Sequence, residues 1–291
     1  MNLVRASIAL CTTLALVAPN ASASIVVVSQ SGTGFSPRNI TIQVGDTVRW
    51  QWSSEIHTVT EGSDGVINGT EAFHRELTSA LPTYSVTFDQ AFLDAHPRSC
   101  NFYDYFCEVH FPGDMRGSIQ VGPIAGTSFC FGDGSLPTAC PCAAPNFVPS
   151  PTGYQGHGCA NSLNFFGARL CALGTTAPDT VAFACDIATG YSGFGFLVKG
   201  NGQDTNGIAA ADGVRCVNGQ LIRFGGHNAG TNGAPTGSWT YPNSAQTISV
   251  SSATLQSLGQ DAFYQLYYRN AEAFFCTTGT TNFSNAIRLS W

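Results

Sequence analysis

The stretch Tyr105-Phe-Cys-Glu-Val-His-Phe-Pro-Gly-Asp-Met-Arg-Gly117 decides how the rest of the chain is read. Before it, Phe102 to Cys107 has the period of two of a strand, with Tyr103, Tyr105 and Cys107 on one face. After it, Gly117-Ser-Ile-Gln-Val121 reads as a closing strand. Working outward, Ile25 to Val28 reads as an opening strand, and Ile40-Thr-Ile-Gln-Val44 alternates up to the turn signal Gly45-Asp46. Val48-Arg-Trp-Gln-Trp52 then places Val48, Trp50 and Trp52 on one face and Arg49 and Gln51 on the other. Glu61 to Pro82 is polar and reads as a long connection before Tyr84-Ser-Val-Thr-Phe88 resumes the alternation. About seven strands in roughly 100 residues, without a helical pattern, predict an all-β, Greek-key sandwich.

The quoted loop contains Cys-x2-His-x4-Met between two strands. A thiolate (Cys107), an imidazole (His110) and a thioether (Met115) on one tight loop can converge on a single metal. His57, 50 residues upstream of Cys107 at a strand end, is placed to add a second imidazole. Two imidazoles and a thiolate in a trigonal plane with a long axial thioether make the type 1, blue-copper geometry, because soft sulfur favours Cu(I) while imidazole also suits Cu(II). The expected cofactor is one copper ion per chain. With six histidines and no His-x-His pair, the chain cannot build the additional copper sites of a multicopper oxidase or a copper nitrite reductase.

From Ile25 to Val121 the chain resembles the cupredoxins, and most closely their plastocyanin-like branch. The resemblance rests on Phe35-x-Pro37, Ile42-x-Val44-Gly-Asp46, Val48-x-Trp50, His57-Thr-Val59 and the Cys107, His110, Met115 loop followed by Gly117-x-Ile119-x-Val121, in family order. It implies that His57 and His110 bind copper through Nδ1, Cys107 through its thiolate and Met115 axially, and that electrons pass through His110. Two positions depart from the pattern. Phe106 stands where plastocyanins that use a remote aromatic entry route carry Tyr. Cys100 is an additional thiol, and a Cys100–Cys107 bridge would abolish the centre. With Tyr103 and Tyr105 at strand spacing and a rise of about 3.3 Å per residue, the two sulfurs are expected to stay apart.

Arg5, the apolar run Ala6 to Ala18 and Ala21-Ser22-Ala23 read as a signal peptide over residues 1–23, so that the mature chain starts near Ser24, exported to the periplasm or cell exterior, with no membrane span. The expected organisation is then a cupredoxin domain over 24–122, a boundary at Gly122-Pro123 and Gly126, and a second disulfide-rich β-sandwich-like domain over 127–291. Strand-like runs there are Val181 to Ile187, Phe194 to Val198, Leu221 to Phe224, Thr247 to Val250, Phe263 to Tyr268 and Ala286 to Trp291. This part resembles cysteine-rich C-terminal modules of exported bacterial proteins, and its role is not legible. Gly132-Asp133-Gly134 reads as a structural turn, since the alternating acidic ligands of a calcium loop are missing.

Ten cysteines follow the leader, Cys100 and Cys107 in the first domain and eight in the second. In an oxidising compartment most should pair. Sequence proximity predicts Cys171–Cys185, Cys216–Cys276, Cys142–Cys159 and Cys130–Cys140, which would staple the second domain independently of the first.

Only 10% of residues are charged. From Ser24 to Gly122 there are 5 Arg against 11 Asp or Glu, a net of −6, whereas Pro123 to Trp291 has 6 basic and 7 acidic residues. Such a balance disfavours nucleic-acid binding and suggests a basic, cytochrome-like redox partner. Glu55, Asp104, Glu108 and Asp114 are the candidate acidic surface. His74 and His96 are expected to be solvent-exposed, and His157 and His227 to be non-ligands. The function expected is one-electron transfer rather than catalysis, since no acid/base pair or second metal site is evident. The alternative is an extracytoplasmic surface protein that binds or stores copper.

Overall fold

The computed structural model describes residues 23–63, 65–142, 156–231, 234, 236–243, 250, 259–270, 272, 275 and 279–291. The alternating segments of the first half become β1 (Ile25–Ser31), β2 (Gly34–Ser36), β3 (Asn39–Ile42), β4 (Thr47–Gln51), β5 (His57–Glu61), β6 (His74–Leu77), β7 (Thr83–Thr87), β8 (Phe102–Phe106) and β9 (Arg116–Val121). They pair as two sheets, β2-β1-β4-β7 and β3-β9-β8-β5-β6. The parallel pairs β1 with β4 and β3 with β9 require connections that cross between sheets, as a Greek-key sandwich does. The inward residues of each strand meet in one core. Trp50 lies edge-on to Tyr105 at 5.3 Å between ring centroids, and Tyr105 packs edge-on against Phe35 at 4.9 Å, a geometry aromatic quadrupoles favour. Tyr103, Tyr105 and Cys107 are all fully buried in that core, as their shared face predicts.

Two elements of this half differ from expectation. The stretch Glu61 to Pro82 is not one loop: it contains β6, an edge strand whose register sets His57 opposite Leu77. A short helix, α1 (Gln90–Ala95), precedes β8, with the Asp89 carboxylate accepting a hydrogen bond from the Phe92 amide at 2.8 Å. Six residues are too few for a helical period to emerge in the sequence; the N-cap aspartate is the signal that marks it.

In the second half lie β10 (Thr127–Phe129), β11 (Arg169–Leu173), β12 (Ala182–Asp186), β13 (Phe194–Gly200), β14 (Gly202–Ala210), β15 (Gly213–Asn218), β16 (Ile222–Asn228), β17 (Ser238–Tyr241), β18 (Asp261–Arg269) and β19 (Thr281–Ser290). They form a five-stranded sheet β10-β19-β18-β13-β16, a three-stranded sheet β11-β12-β17 and the hairpin β14-β15. Residues of the two larger sheets, among them Phe183, Leu197, Trp239, Tyr264 and Leu266, share one apolar core. This is the expected second sandwich. Of the predicted strand Thr247 to Val250, residues 247–249 lie outside the described residues.

The predicted disulfide pairing is overturned. Cys171 bonds Cys100 rather than Cys185, Cys130 bonds Cys216 rather than Cys140, and Cys159 bonds Cys140 rather than Cys142; Cys142 is itself disulfide-bonded. Cys276 lies outside the described residues, but Cys216 is already taken. Cys107 and Cys185 are free and buried. The reason is geometric: β11 and β12 are neighbours, yet Cys171 stands opposite Ala184 and Cys185 opposite Leu170. With alternating side chains, the two sulfurs point to opposite faces. Cys171 faces Cys100, whose sulfur also lies 3.2 Å from the Ala184 carbonyl oxygen.

The two halves are therefore covalently joined, not independently stapled. Beside the bridge, Arg169 holds Asp104 with two hydrogen bonds of 3.0 and 2.9 Å and stacks over the Phe102 ring at 3.7 Å. We expect non-reducing peptide mapping to recover Cys100 linked to Cys171. The double substitution Cys100→Ser/Cys171→Ser should lower unfolding stability by up to about 4 kcal/mol, the chain-entropy value for a loop of this length. An unchanged denaturation midpoint would show that the bridge restrains nothing.

Candidate metal centre

At one end of the first sandwich, two segments approach each other. The first is the entry to β5. Gln30 sits at an inward position of β1, 3% exposed, and its side-chain carbonyl accepts from the Ser53 and Ser54 amides at 2.9 and 3.0 Å. Trp52 donates its indole N–H to the Glu55 carbonyl at 2.7 Å. These bonds fix the loop that delivers His57 as the first residue of β5. The second is the loop after β8. Its ends are tied by the Cys107 amide donating to the Met115 carbonyl at 2.9 Å, and a 3-10 turn over Phe111–Gly113, with Pro112 inside it, follows His110 directly.

The two segments are fastened to each other through Thr58. Its amide lies 3.5 Å from Cys107 Sγ, and its hydroxyl accepts from the Glu108 amide at 2.9 Å. Thr60 extends the link, donating to the Glu108 carboxylate at 2.7 Å with His74 Nδ1 beside it at 3.0 Å. His74, half-exposed, is thus a neighbour of the centre but not one of its converging groups. His96 is half-buried against Phe92. His157 is buried, and burial, reinforced by Arg169, pushes its pKa down to about 4. His227 stacks on Trp239.

The result is a triangle of donor atoms. Cys107 Sγ lies 3.7 Å from His57 Nδ1 and 3.5 Å from His110 Nδ1, and the two Nδ1 atoms are 3.1 Å apart. Among the described residues, His57, Cys107 and His110 are the one group of three or more such side chains close enough to share a metal ion. The sides of the triangle put its centre about 2 Å from every corner, which is a transition-metal-to-imidazole bond length. Burial, followed by the neighbouring His110, holds the pKa of His57 below its ordinary value. That favours the neutral, lone-pair-bearing imidazole a metal needs. His57 and Cys107 are fully buried, while the His110 side chain keeps 22% exposure. Met115 is also fully buried in the core cluster that contains Cys107.

A Greek-key sandwich that closes two imidazoles and a thiol onto one point defines a metal-binding β-protein. Residues 22–122 match the model of the copper binding proteins of the plastocyanin/azurin family. The chain is 34% identical over 92 residues to a plastocyanin of Scenedesmus fuscus, covering 30% of this chain and 85% of that one. It is 29% identical over 104 residues to an amicyanin of Paracoccus versutus, covering 36% of this chain and 70% of that one. A reduced amicyanin mutant is similar at 24% identity over 33% of this chain and 80% of that one, with a TM-score of 0.25. Through its first sandwich, the chain belongs to the plastocyanin/azurin family of copper binding proteins. The donor set suits that metal, since soft sulfur with two imidazoles accommodates both copper oxidation states.

Sequence reasoning named the converging residues but missed Gln30, Thr58 and Thr60, which hold them. A polar residue at the inward phase of an apolar strand, as Gln30 is, was the available signal. It also placed Asp104 on an acidic surface, whereas Asp104 is turned into the contact with Arg169 and only 17% exposed. Gly117, which leads β9 away from the loop, has no room for a side chain: a Cβ there would meet the Tyr105 ring and stand 2.5 Å from the Arg38 carbonyl oxygen. We expect Gly117→Ala to cost about 1–3 kcal/mol by overpacking, read as a lower urea midpoint. Wild-type stability in this variant would refute the close packing beneath the loop.

Proposed function

We propose that the protein is exported and transfers single electrons through one type 1 copper ion, bound by His57 and His110 through Nδ1, by the Cys107 thiolate and, axially, by Met115. The observation that carries this reading is the triangle of Cys107 Sγ and the two Nδ1 atoms, closed around a buried thiol in an otherwise disulfide-rich chain. Bound copper supplies a one-electron couple between Cu(I) and Cu(II). The protein's part is to hold the donors still, which the Thr58 and Gln30 hydrogen bonds do, so that little has to move when charge changes. Residues 24–122 act as the copper domain in this reading and 127–291 as a second, appended one. Export is supported by the leader-like N-terminus and the disulfides; no helix among the described residues is long and apolar enough to cross a membrane.

His110 is the exit. Its side chain alone among the three keeps exposure, 22%, and the chain neighbours of His57 and His110, Ile56 (61%) and Val109 (58%), are exposed apolar residues. The lateral route through Phe106 is closed, because Phe106 is fully buried and packs edge-on against Phe111, over which Arg116 lies at 4.2 Å from the ring centroid. Arg116 also lies 5.4 Å from the Phe166 ring centroid, a residue of the second half.

We expect the copper-loaded protein to show thiolate charge-transfer absorption that Cys107→Ser eliminates without unfolding the sandwich. Met115→Leu should keep the colour and raise the reduction potential, since loss of a weak axial donor favours Cu(I). A blue Cys107→Ser protein, or a potential that falls in Met115→Leu, would refute the ligand set. Glu55, 66% exposed and 4.0 Å from His110 Nε2, leaves acidic charge at the His110 edge, while Asp114 is paired with Arg38 and Arg116. Stopped-flow reduction by a basic cytochrome should accordingly slow as ionic strength rises. Rates indifferent to salt would remove the basic partner.

A further inference from the structure

On one face of the five-stranded sheet in the second half, three aromatic rings form a row across β13, β18 and β19. Phe196 pairs in register with Tyr267, and Tyr267 with Phe283; their ring centroids are 4.9 and 5.0 Å apart. On the next strand, β16, Arg223 stands opposite Val198, two residues along β13 from Phe196, and its guanidinium lies 5.5 Å from the Phe196 ring centroid. The β14-β15 hairpin packs over the same face through Val214 and Val217, which share a cluster with Val198. It brings Arg215 to the row. Between them is a groove of about 270 Å³ lined by these rings and both arginines, with Leu221 39% exposed at its margin.

What singles this groove out is charge without a counter-charge. Among the described residues neither Arg215 nor Arg223 is ion-paired with a carboxylate. The Nε of Arg215 is buried with no hydrogen-bond partner. The seven acidic residues from Pro123 onward are Asp133, Asp179, Asp186, Asp204, Asp212, Asp261 and Glu272, all among the described residues, so the missing partner is not hidden elsewhere in this half. Arg215 is half-buried and Arg223 exposed, so both can reach a ligand in the groove, and the planar fork of a guanidinium matches a carboxylate. The rings beside it offer flat faces to stack on. A volume just under the usual range of ligand pockets, about 300–1,000 Å³, limits the occupant to a compound of one or two rings.

We propose that this groove binds a small aromatic carboxylate, its ring against Phe196 and Tyr267 and its carboxylate held by Arg215 and Arg223. The reading is independent of the copper centre. Calorimetric titration of the full chain with 2-naphthoate tests it, with 2-naphthamide and inorganic phosphate as comparisons. We expect saturable 2-naphthoate binding at least tenfold tighter than that of the isosteric neutral amide and of phosphate. Affinity should fall at least tenfold in Arg215→Gln/Arg223→Gln and in Tyr267→Ala. Equal binding of naphthoate and naphthamide would remove the arginines' role, equal binding of phosphate would remove the aromatic wall, and no saturable binding would remove the site. The amide comparison uses the wild-type protein, so the proposal stays refutable even if a variant fails to fold.

Discussion

The contact between Cys107 Sγ and the two histidine Nδ1 atoms depends on one cysteine staying reduced where others are oxidised. Two features protect it. Cys100, its nearest cysteine in sequence, is engaged by Cys171 across the junction of the halves. Cys107 itself is fully buried, so an outside thiol or disulfide cannot reach it without local opening. The Thr58 amide lies beside the sulfur, which stands 3.7 and 3.5 Å from the Nδ1 atoms of His57 and His110. The first sandwich is a frame for this arrangement: β5 and β8 are antiparallel neighbours in one sheet, so their ends bring His57 and Cys107 to the same edge.

Joining the second sandwich here has a consequence for the first. The bidentate bond from Arg169 removes Asp104 from the acidic surface, and Phe166 lies beyond Arg116 on the flank that contains Phe106. A flank that would otherwise be open to another protein is therefore occupied within the chain. His110 keeps its access to solvent, with the exposed Glu55 carboxylate 4.0 Å from its Nε2, whereas Asp114 is paired with Arg38 and Arg116.

Much of this was legible in the residues because it is local or periodic. The inward phase of Val48 and Trp50, the shared face of Tyr103, Tyr105 and Cys107, and the Cys-x2-His-x4-Met spacing all follow from a period of two and a short loop. His57 could be paired with that loop from the order of the family motifs around it. The disulfides could not be read in this way, since pairing requires Cα atoms about 4.4–6.8 Å apart, and sequence proximity is no guide to that distance when strands alternate their faces. Cys171 and Cys185 are 14 apart in sequence and on adjacent strands, yet their side chains diverge, whereas Cys100 and Cys171, 71 apart, meet. The short helix at Gln90–Ala95 and the edge strand His74–Leu77 were missed because neither is long enough to show a period.

The junction between the halves also separates what a covalent bond does from what an ion pair does. A disulfide fixes a distance but leaves torsional freedom about its bonds, so Cys100–Cys171 alone permits the sandwiches to rock. The Arg169 guanidinium, 7% exposed, is oriented by two hydrogen bonds to Asp104 and by the Phe102 ring face. Such a buried pair adds little net stability, because the desolvation of both charges offsets most of their attraction. Its geometry is nonetheless directional, and a displaced guanidinium would leave a buried charge unmet. Asp186, on β12 beside them, illustrates the same environment: burial pushes its carboxyl up despite the neighbouring Arg169. Asp104 is the carboxylate that receives the arginine's hydrogen bonds. The bridge thus ties the two sandwiches together, and the ion pair adds a directional contact at the same junction.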